Sequence, residues 1–283
     1  MEQAVQAQVP PVKDQEAKDQ KAKEQIKSVP APLGPPGMRQ LSKSNKNNDL
    51  LNKALVCTKD DKPVRDWPEF LRNIFVISMR PERITVLKQK MQSWFKHVTV
   101  VKSVDGRIIN KRLLVEQGLI TLKTANGTIT RGRIGCQLSH CQVYQYIVDN
   151  KLDYGIVCED DSDLCYSNAT IDHLEEVQKE LQELGLWPPE FMYLEHCQKY
   201  FKGPAKYMVS NRTYKPTGCM CLYMYYVTYD CAKKLLKLLR PMEPVPIDIK
   251  IAQLCDNGTI DALAIMPQLG LQRPTSSDTS SIK

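Results

Sequence analysis

The sequence contains no apolar run that approaches the ~20 consecutive residues needed to span a membrane. Its first residues are rich in Gln, Lys and Glu, and they lack the positively charged cap and apolar stretch of a secretory leader. Internal repeats are absent as well. We therefore expect a protein without a membrane span that acts in the cytoplasm.

Close pairs of cysteines are nearly absent, although the chain has 10 cysteines. Several stand singly in apolar segments: Cys136, Cys141, Cys158 and Cys231. That placement is typical of reduced thiols in a protein core. Cys219 and Cys221 form the one close pair, and their one-residue spacing does not fit a zinc knuckle. We therefore expect free core thiols and no structural zinc.

Signatures of nucleic-acid binding are missing too. The formal net charge of +7 would suit a nucleic acid, but the positive side chains are spread over the N-terminal segment, a later helix and many single sites. No helix-turn-helix or base-stacking pattern accompanies them, so we do not expect nucleic acid as a partner. A basic chain also suits an enzyme whose donor substrate is a nucleotide diphosphate.

Composition divides the chain into three parts. Residues 1–65 are rich in Gln, Lys, Pro and Ala and predict a disordered basic tail, which is either a solubilising linker or an arm that binds a partner or an assembly. Residues 66–275 have the apolar content of one folded domain. Residues 276–283 predict a flexible C-terminus.

Within the predicted domain, short apolar runs alternate with segments of helical periodicity. The predicted strands lie at 74–77, 98–104 and 154–157, and around residues 192 and 224. The predicted helices follow Pro81 and cover 134–148, 174–184 and 232–239. This alternation predicts an α/β domain with a mostly parallel central sheet and helices on both faces.

Four carboxylates follow the strand predicted at 154–157 and lie within five residues: Glu159, Asp160, Asp161 and Asp163. Carboxylates packed so closely repel one another unless a cation lies among them. Oxygen ligands of this kind favour Mg²⁺ or Mn²⁺ over zinc. Strand alternation turns Glu159 and Asp161 to one face and Asp160 to the other. We predict Glu159, Asp161 and Asp163 as metal ligands; the alternative is a solvated acidic turn.

Four short segments of the domain carry a further signal. They are Ile74-Phe-Val-Ile-Ser-Met-Arg-Pro-Glu-Arg83, Val104-Asp-Gly106, Arg133-Ile-Gly-Cys-Gln-Leu-Ser-His140 and Tyr154-Gly-Ile-Val-Cys-Glu-Asp-Asp161. In this order and spacing they resemble the motifs of glycosyltransferase family 25, and the resemblance runs from about residue 72 to about residue 273. The chain departs from the family where Ser78-Met79 replaces the usual Asn-Leu.

The resemblance implies one nucleotide-sugar-binding domain of the GT-A type. It also implies a UDP-sugar donor, a bound Mn²⁺ or Mg²⁺ ion and inversion at the anomeric carbon. The transferred hexose would be galactose or glucose. The acceptor would be a hydroxyl group of a glycan or a protein.

Donor-binding residues are predicted around the carboxylates. Arg80 and Arg83 follow the first strand, whose carboxyl end lies at the same rim, and would reach the uridine phosphates; the alternative is a surface pair at a helix start. Arg133 would bind phosphate or acceptor, and Asp105 would lie near the nucleotide, although loop and turn roles would account for both. Asp160 completes this predicted donor-binding set.

An inverting transfer needs a group that removes the proton from the attacking hydroxyl. We predict Asp248, just after Pro246 at a helix start, as this base; the alternative is a carboxylate that only stabilises the helix N-terminus. His140 is predicted at the rim of the site, in contact with donor or acceptor. The alternative for His140 is a hydrogen-bonded core histidine.

Two rival functions remain open. A phosphatase of the haloacid dehalogenase type also places Asp-x-Asp after a strand, here Asp161 and Asp163, with Mg²⁺ beside the first carboxylate. A non-catalytic binding or structural protein could keep the glycosyltransferase scaffold and use its basic tail for assembly. Turnover of a UDP-sugar would distinguish the transferase from both.

Overall fold

The computed structural model describes residues 65–164, 166–196 and 207–272. The predicted tail, apart from residue 65, and the predicted C-terminal segment 276–283 lie outside these residues. The strands are β1 Ile74–Ser78, β2 Val98–Lys102, β3 Tyr154–Glu159, β4 Ser162–Leu164, β5 Phe191–Glu195, β6 Thr213–Tyr214, β7 Met224–Thr228, β8 Ala262–Ile265 and β9 Gly270–Gln272. The helices are α1 Pro81–Met91, α2 Lys111–Glu116, α3 Leu122–Asn126, α4 Arg131–Asp149, α5 Asn168–Glu183, α6 Tyr229–Leu238 and α7 Ile247–Asp256. Short 3₁₀ segments cover Glu69–Leu71, Gln92–His97 and Gly106–Ile108.

Seven strands form one sheet in the order β2-β1-β3-β7-β5-β8-β6, and β4 pairs with β9 in a small separate sheet. In the large sheet β1 runs parallel to β2 and β3, and β5 runs parallel to β8. Strand β7 lies antiparallel between β3 and β5, and β6 is antiparallel to β8. The sheet is therefore mixed: five strands, β2, β1, β3, β5 and β8, run in one direction, as the prediction of a mostly parallel sheet requires, and β7 and β6 run in the other. Apolar runs predict that a strand is buried, but its direction depends on how the chain returns to the sheet.

Helices cover both faces of the large sheet, as predicted. Along β1, Phe75 and Ile77 pack on one side with residues of α4, α6 and α7. Ile74 and Val76 pack on the other side with residues of α1 and α5. Because successive strand residues point to opposite faces, a strand buried on both sides needs an unbroken apolar sequence. This is why β1 reads Ile-Phe-Val-Ile before its terminal serine.

Helix starts gather at the carboxyl ends of β1 and β3. Helix α1 begins at Pro81, as predicted, because proline has the helical φ angle and needs no hydrogen-bond partner in the first turn. Thr130 caps α4, and its Oγ1 accepts a hydrogen bond from the Arg133 amide at 3.3 Å. Helix α7 begins directly after Pro246, with Asp248 in its first turn. Three predicted site regions are thereby held by rigid helix ends.

Two glycines allow α4 to pack directly against the turn that follows β2. A Cβ atom on Gly135 would lie 2.5 Å from the Val104 carbonyl oxygen, and one on Gly106 would lie 2.8 Å from the Arg131 carbonyl. Neither approach is possible for a larger residue without backbone movement. The Ser139 hydroxyl adds a hydrogen bond from the Val104 amide at 2.8 Å. The second and third sequence motifs are therefore in backbone contact.

Candidate functional site

A cavity of about 420 Å³ opens at the carboxyl ends of β1 and β3. Its walls come from the start of α1, the turn after β2, the first turns of α4, the segment before β7 and the start of α7. Eight of the ten residues predicted for the site line this cavity: Arg80, Arg83, Arg133, His140, Glu159, Asp160, Asp161 and Asp248. Residues separated by more than 160 positions in the sequence thus share one space.

Asp160 is held on one side of the cavity by an ion pair. Its carboxylate accepts a hydrogen bond from Arg83 Nη1 at 2.6 Å and another from the Ser78 hydroxyl at 2.5 Å. Ser78 Oγ also accepts a hydrogen bond from the Arg80 amide at 2.9 Å. The serine that departs from the family pattern therefore fixes the junction between β1 and α1. Asp160 orients Arg83, whose guanidinium remains at the cavity wall.

Glu159 turns in a different direction from Asp160, as strand alternation requires. Its Oε1 lies 3.1 Å from His140 Nε2 and 3.8 Å from Cys136 Sγ. The other ring nitrogen of His140 is 2.8 Å from the Tyr225 hydroxyl. His140 is only 1% exposed, so it lies in the inner wall of the cavity and not at the rim where it was predicted. In this position it orients Glu159.

Negative charge converges on two groups in the cavity wall. The pKa of the Tyr223 hydroxyl is raised, first by burial and then by the charges of Asp161, Glu159 and Asp248. Burial raises the pKa of the Cys136 thiol well above its usual value, and the same three carboxylates add to the effect. The negative charges of Asp248, Glu159 and Asp161 therefore affect the same part of the cavity, although Asp248 lies far from the other two in the sequence. A cation in that volume would be stabilised by all three.

Positive charge lies beside this acidic region. Arg80 and Arg83 come from the start of α1, and Arg133 comes from the first turn of α4. A cavity with carboxylates on one part of its wall and guanidinium groups on another fits a ligand that carries both a cation and phosphate groups.

One predicted site residue, Asp105, takes another position. Asp105 is not among the residues that line the cavity; its carboxylate accepts a hydrogen bond from the Arg107 amide at 2.9 Å and pairs with the Arg107 side chain. These bonds lower the pKa of Asp105 and give it a turn-capping role in place of the predicted nucleotide contact. Asp163 lies in β4 opposite Leu271, and its side chain falls outside the described part of the chain.

The sequence analysis did not identify Tyr223 and Cys136 as site residues. Tyr223 immediately precedes β7, and its carbonyl oxygen accepts a hydrogen bond from the Glu159 amide at 2.9 Å. The sequence does contain a signal for Tyr223. It lies between the apolar residues Leu222 and Met224, and in an extended chain its side chain points to the face opposite theirs. Cys136 is one turn before His140 on α4, so the two side chains share a helix face.

The cysteines differ in one respect from the prediction. Among the described residues, the free thiols are Cys136, Cys141, Cys158, Cys219, Cys231 and Cys255. Cys221, at the cavity wall, is disulfide-bonded. Within the described residues, no helix is both long and apolar enough to cross a membrane.

A family model matches the part of the chain that contains this cavity. The model of "Glycosyltransferase family 25 (LPS biosynthesis protein)" matches residues 71–251, which is more than half of the chain. This range holds β1, the carboxylates after β3 and the start of α7, and so the elements that build the cavity. The chain therefore belongs to glycosyltransferase family 25.

Individual relatives match over shorter stretches. Human procollagen galactosyltransferase 2 is 30% identical over 95 residues, covering 31% of this chain and 15% of the relative. A probable inactive glycosyltransferase 25 family member 3 from Rattus norvegicus is 33% identical over 95 residues, covering 31% and 17%. A putative glycosyltransferase from Haemophilus influenzae is 29% identical over 143 residues, covering 48% and 45%. The chain thus spans less than half the length of each of these relatives.

Proposed function

We propose that this chain transfers a hexose from a UDP-sugar to a hydroxyl group of a glycan or protein acceptor. The observation that carries the proposal is the cavity itself, where three carboxylates face one volume and three arginines line the adjoining wall. The match to glycosyltransferase family 25 supports the class of reaction. Galactose is favoured because relatives bear the name procollagen galactosyltransferase. The GT-A type of the fold is part of the same proposal.

The arginines account for the diphosphate. Arg83 is fixed by Asp160, so its guanidinium loses little conformational freedom when it binds a phosphate oxygen. Arg80 and Arg133 add positive charge from two other directions. Guanidinium groups bind phosphate through paired hydrogen bonds and stay charged at all relevant pH values. They therefore stabilise the charge that develops as the nucleotide diphosphate departs.

The carboxylates fit a divalent cation. Asp161 and Glu159, together with Asp163, would hold Mn²⁺ or Mg²⁺, because the donors are carboxylate oxygens and because the charges of Asp161 and Glu159 converge on the cavity. When bound, such an ion supplies further neutralisation of the diphosphate charge. Asp163 is included because it lies in β4, two residues after Asp161.

Asp248 is the proposed general base. It lies in the first turn of α7, at the cavity wall, and its charge reaches the same groups as those of Asp161 and Glu159. The acceptor hydroxyl oxygen attacks the anomeric carbon, its proton passes to Asp248, and the bond between that carbon and the diphosphate oxygen breaks. The nucleotide diphosphate leaves from the opposite face, so the configuration inverts.

Thermal melting of the full chain with nucleotide sugars tests the donor site. UDP-galactose at 100 times its dissociation constant should stabilise the fold by about 2.7 kcal/mol, which raises Tm by about 5–10 °C for a domain of this size. The shift should need Mn²⁺ or Mg²⁺. Asp161→Asn should remove the metal-dependent part, whereas Asp149→Asn, an exposed carboxylate at the far end of α4, should keep it. An undiminished shift in Asp161→Asn would remove Asp161 from the site.

A second candidate function is a donor-binding protein without catalysis. The observation that favours it is that relatives from rat and mouse, each 33% identical to this chain over 95 residues, bear the names "probable inactive" and "inactive" glycosyltransferase 25 family member 3. A metal-dependent thermal shift without release of UDP in the presence of acceptors would support this alternative. Release of inorganic phosphate from a generic phosphate ester, with no response to UDP-sugars, would instead support the phosphatase hypothesis.

A further inference from the structure

We propose that Cys136, His140 and Glu159 form a binding site for a thiophilic divalent cation such as Zn²⁺ in the inner wall of the cavity. In the described part of the chain, this is the one group of three His, Cys or acidic side chains whose ligand atoms all lie within 4.8 Å of one another. The site shares Glu159 with the proposed Mn²⁺ or Mg²⁺ site, but it stands on these contacts and does not depend on the proposed transferase activity.

The distances suit tetrahedral coordination. With Zn–N and Zn–O bonds of about 2.0 Å and a Zn–S bond of about 2.3 Å, neighbouring ligand atoms lie about 3.3–3.5 Å apart. Here His140 Nε2 and Glu159 Oε1 are 3.1 Å apart, and Cys136 Sγ and Glu159 Oε1 are 3.8 Å apart. The ligand atoms of Cys136 and His140 lie within 4.8 Å of each other, so a shift of the thiol by up to about 1.3 Å brings all three atoms around one ion. Thiolate, imidazole and carboxylate together select zinc-like ions over Mg²⁺.

The supporting structure holds the ligands in place. Cys136 and His140 are one turn apart on α4, a helix of 19 residues, and Glu159 ends the central strand β3. His140 Nδ1 contacts the Tyr225 hydroxyl at 2.8 Å, and Tyr225 contacts the Tyr144 hydroxyl at 2.7 Å. A ligating histidine generally uses its second nitrogen in this way.

Tyr225 also permits the change that coordination requires. In one tautomer, His140 Nε2 donates to Glu159 and Nδ1 accepts from the Tyr225 hydroxyl. In the other, Nδ1 donates to Tyr225 and Nε2 offers its lone pair to an ion. Because a phenol both donates and accepts, the ring need not rotate. The three residues line the cavity, so the fourth coordination position faces it and can take water or a ligand oxygen.

Cobalt(II) titrated alone into the full chain under argon provides the test, because thiolate ligation gives a charge-transfer absorption band in the near ultraviolet. We expect the band to saturate at one cobalt per chain and to disappear when Zn²⁺ is added. Cys136→Ser should abolish the band, while Cys255→Ser, a half-buried thiol that is not part of the group, should retain it. Glu159→Gln should raise the cobalt concentration at half-saturation by at least about 10-fold.

The absence of a saturable thiolate band in the wild-type chain would overturn the proposal, as would a full band in Cys136→Ser. Tyr225→Phe should keep the band but weaken binding by about 10–100-fold. Asp161→Asn should leave the band unchanged, because Asp161 belongs to the proposed oxygen-ligand site. Melting of each variant without metal shows that it is folded, and Glu159→Gln keeps the test decisive if Cys136→Ser does not fold.

Discussion

Gly135→Ala is the substitution that most directly tests how the cavity is built. Two physical effects oppose each other at this position. Alanine is a better helix former than glycine by about 1 kcal/mol, so the change would stabilise α4 if nothing else mattered. The new Cβ would, however, lie 2.5 Å from the Val104 carbonyl oxygen and 3.3 Å from the Gly106 amide nitrogen. Both obstacles are backbone atoms, which cannot rotate away as a flexible side chain would.

The clash should dominate. Forcing an additional carbon into a packed interior costs about 1–3 kcal/mol, and a contact with rigid backbone belongs at the upper end of that range. Subtracting the helix-propensity gain leaves a net loss of about 2 kcal/mol. For a domain of this size, that loss lowers Tm by about 4–8 °C. The turn after β2 would move away from α4 and break the Ser139 hydrogen bond to the Val104 amide.

Circular dichroism melting of the full chain measures the effect. Gln142→Ala is the matched control, because Gln142 is an exposed residue of the same helix and its replacement should change stability by no more than about 0.5 kcal/mol. Gly135→Ala should also bind UDP-sugars more weakly, since Gly106 and Cys136 line the cavity on either side of the contact between α4 and the turn after β2. A Tm equal to or above that of the wild-type chain would refute the close-packing explanation and leave helix propensity as the controlling effect.

Three further predictions concern charge. Arg83→Met should weaken UDP binding by about 10–100-fold, because a charged hydrogen bond contributes about 1.5–3 kcal/mol; calorimetric titration that shows unchanged affinity would place the diphosphate elsewhere. Asp248→Asn should lower kcat by about 10²–10⁴-fold while leaving the donor-induced thermal shift intact, and retained turnover would exclude it as the base. His173, whose pKa is lowered to about 4 mainly by burial, favours its neutral form in the folded state. The contribution of neutral His173 to the free energy of unfolding is therefore present above pH 6.5. It is lost as the pH falls toward 4, by about 3 kcal/mol in total. His173→Gln should flatten the dependence of unfolding free energy on pH in that window, and an unchanged slope in denaturant titrations would contradict this.

Local patterns in the sequence were sufficient for the elements and for the family. The apolar run before Ser78, the proline at position 81 and the apolar periodicity from Ile134 onward each predicted an element that the structure contains. Helical and strand periods are properties of neighbouring residues, so they can be recognised without knowledge of the fold. The order of the four motifs predicted glycosyltransferase family 25, and the family match confirmed it.

The direction of the strands required the tertiary structure. Strand β7 has the same apolar character as β1 and β3, but it lies antiparallel to β3 because the chain reaches the sheet from the opposite end. That reversal places Tyr223 beside Glu159, where their main chains are hydrogen-bonded. The period of two residues is the same in parallel and antiparallel strands, so it carries no information about the direction of a strand.

The partners of individual side chains were likewise decided by packing. The sequence presented Asp105 and Asp160 as similar carboxylates, yet Asp105 pairs with Arg107 two residues away and Asp160 pairs with Arg83 across the sheet edge. Glu159 meets Cys136 because the fold brings the first turns of α4 to the end of β3. Sequence alone determined which residue types were available near each strand end. Tertiary structure determined which of them share a volume, because charges and ligand atoms interact through distances that no local pattern records.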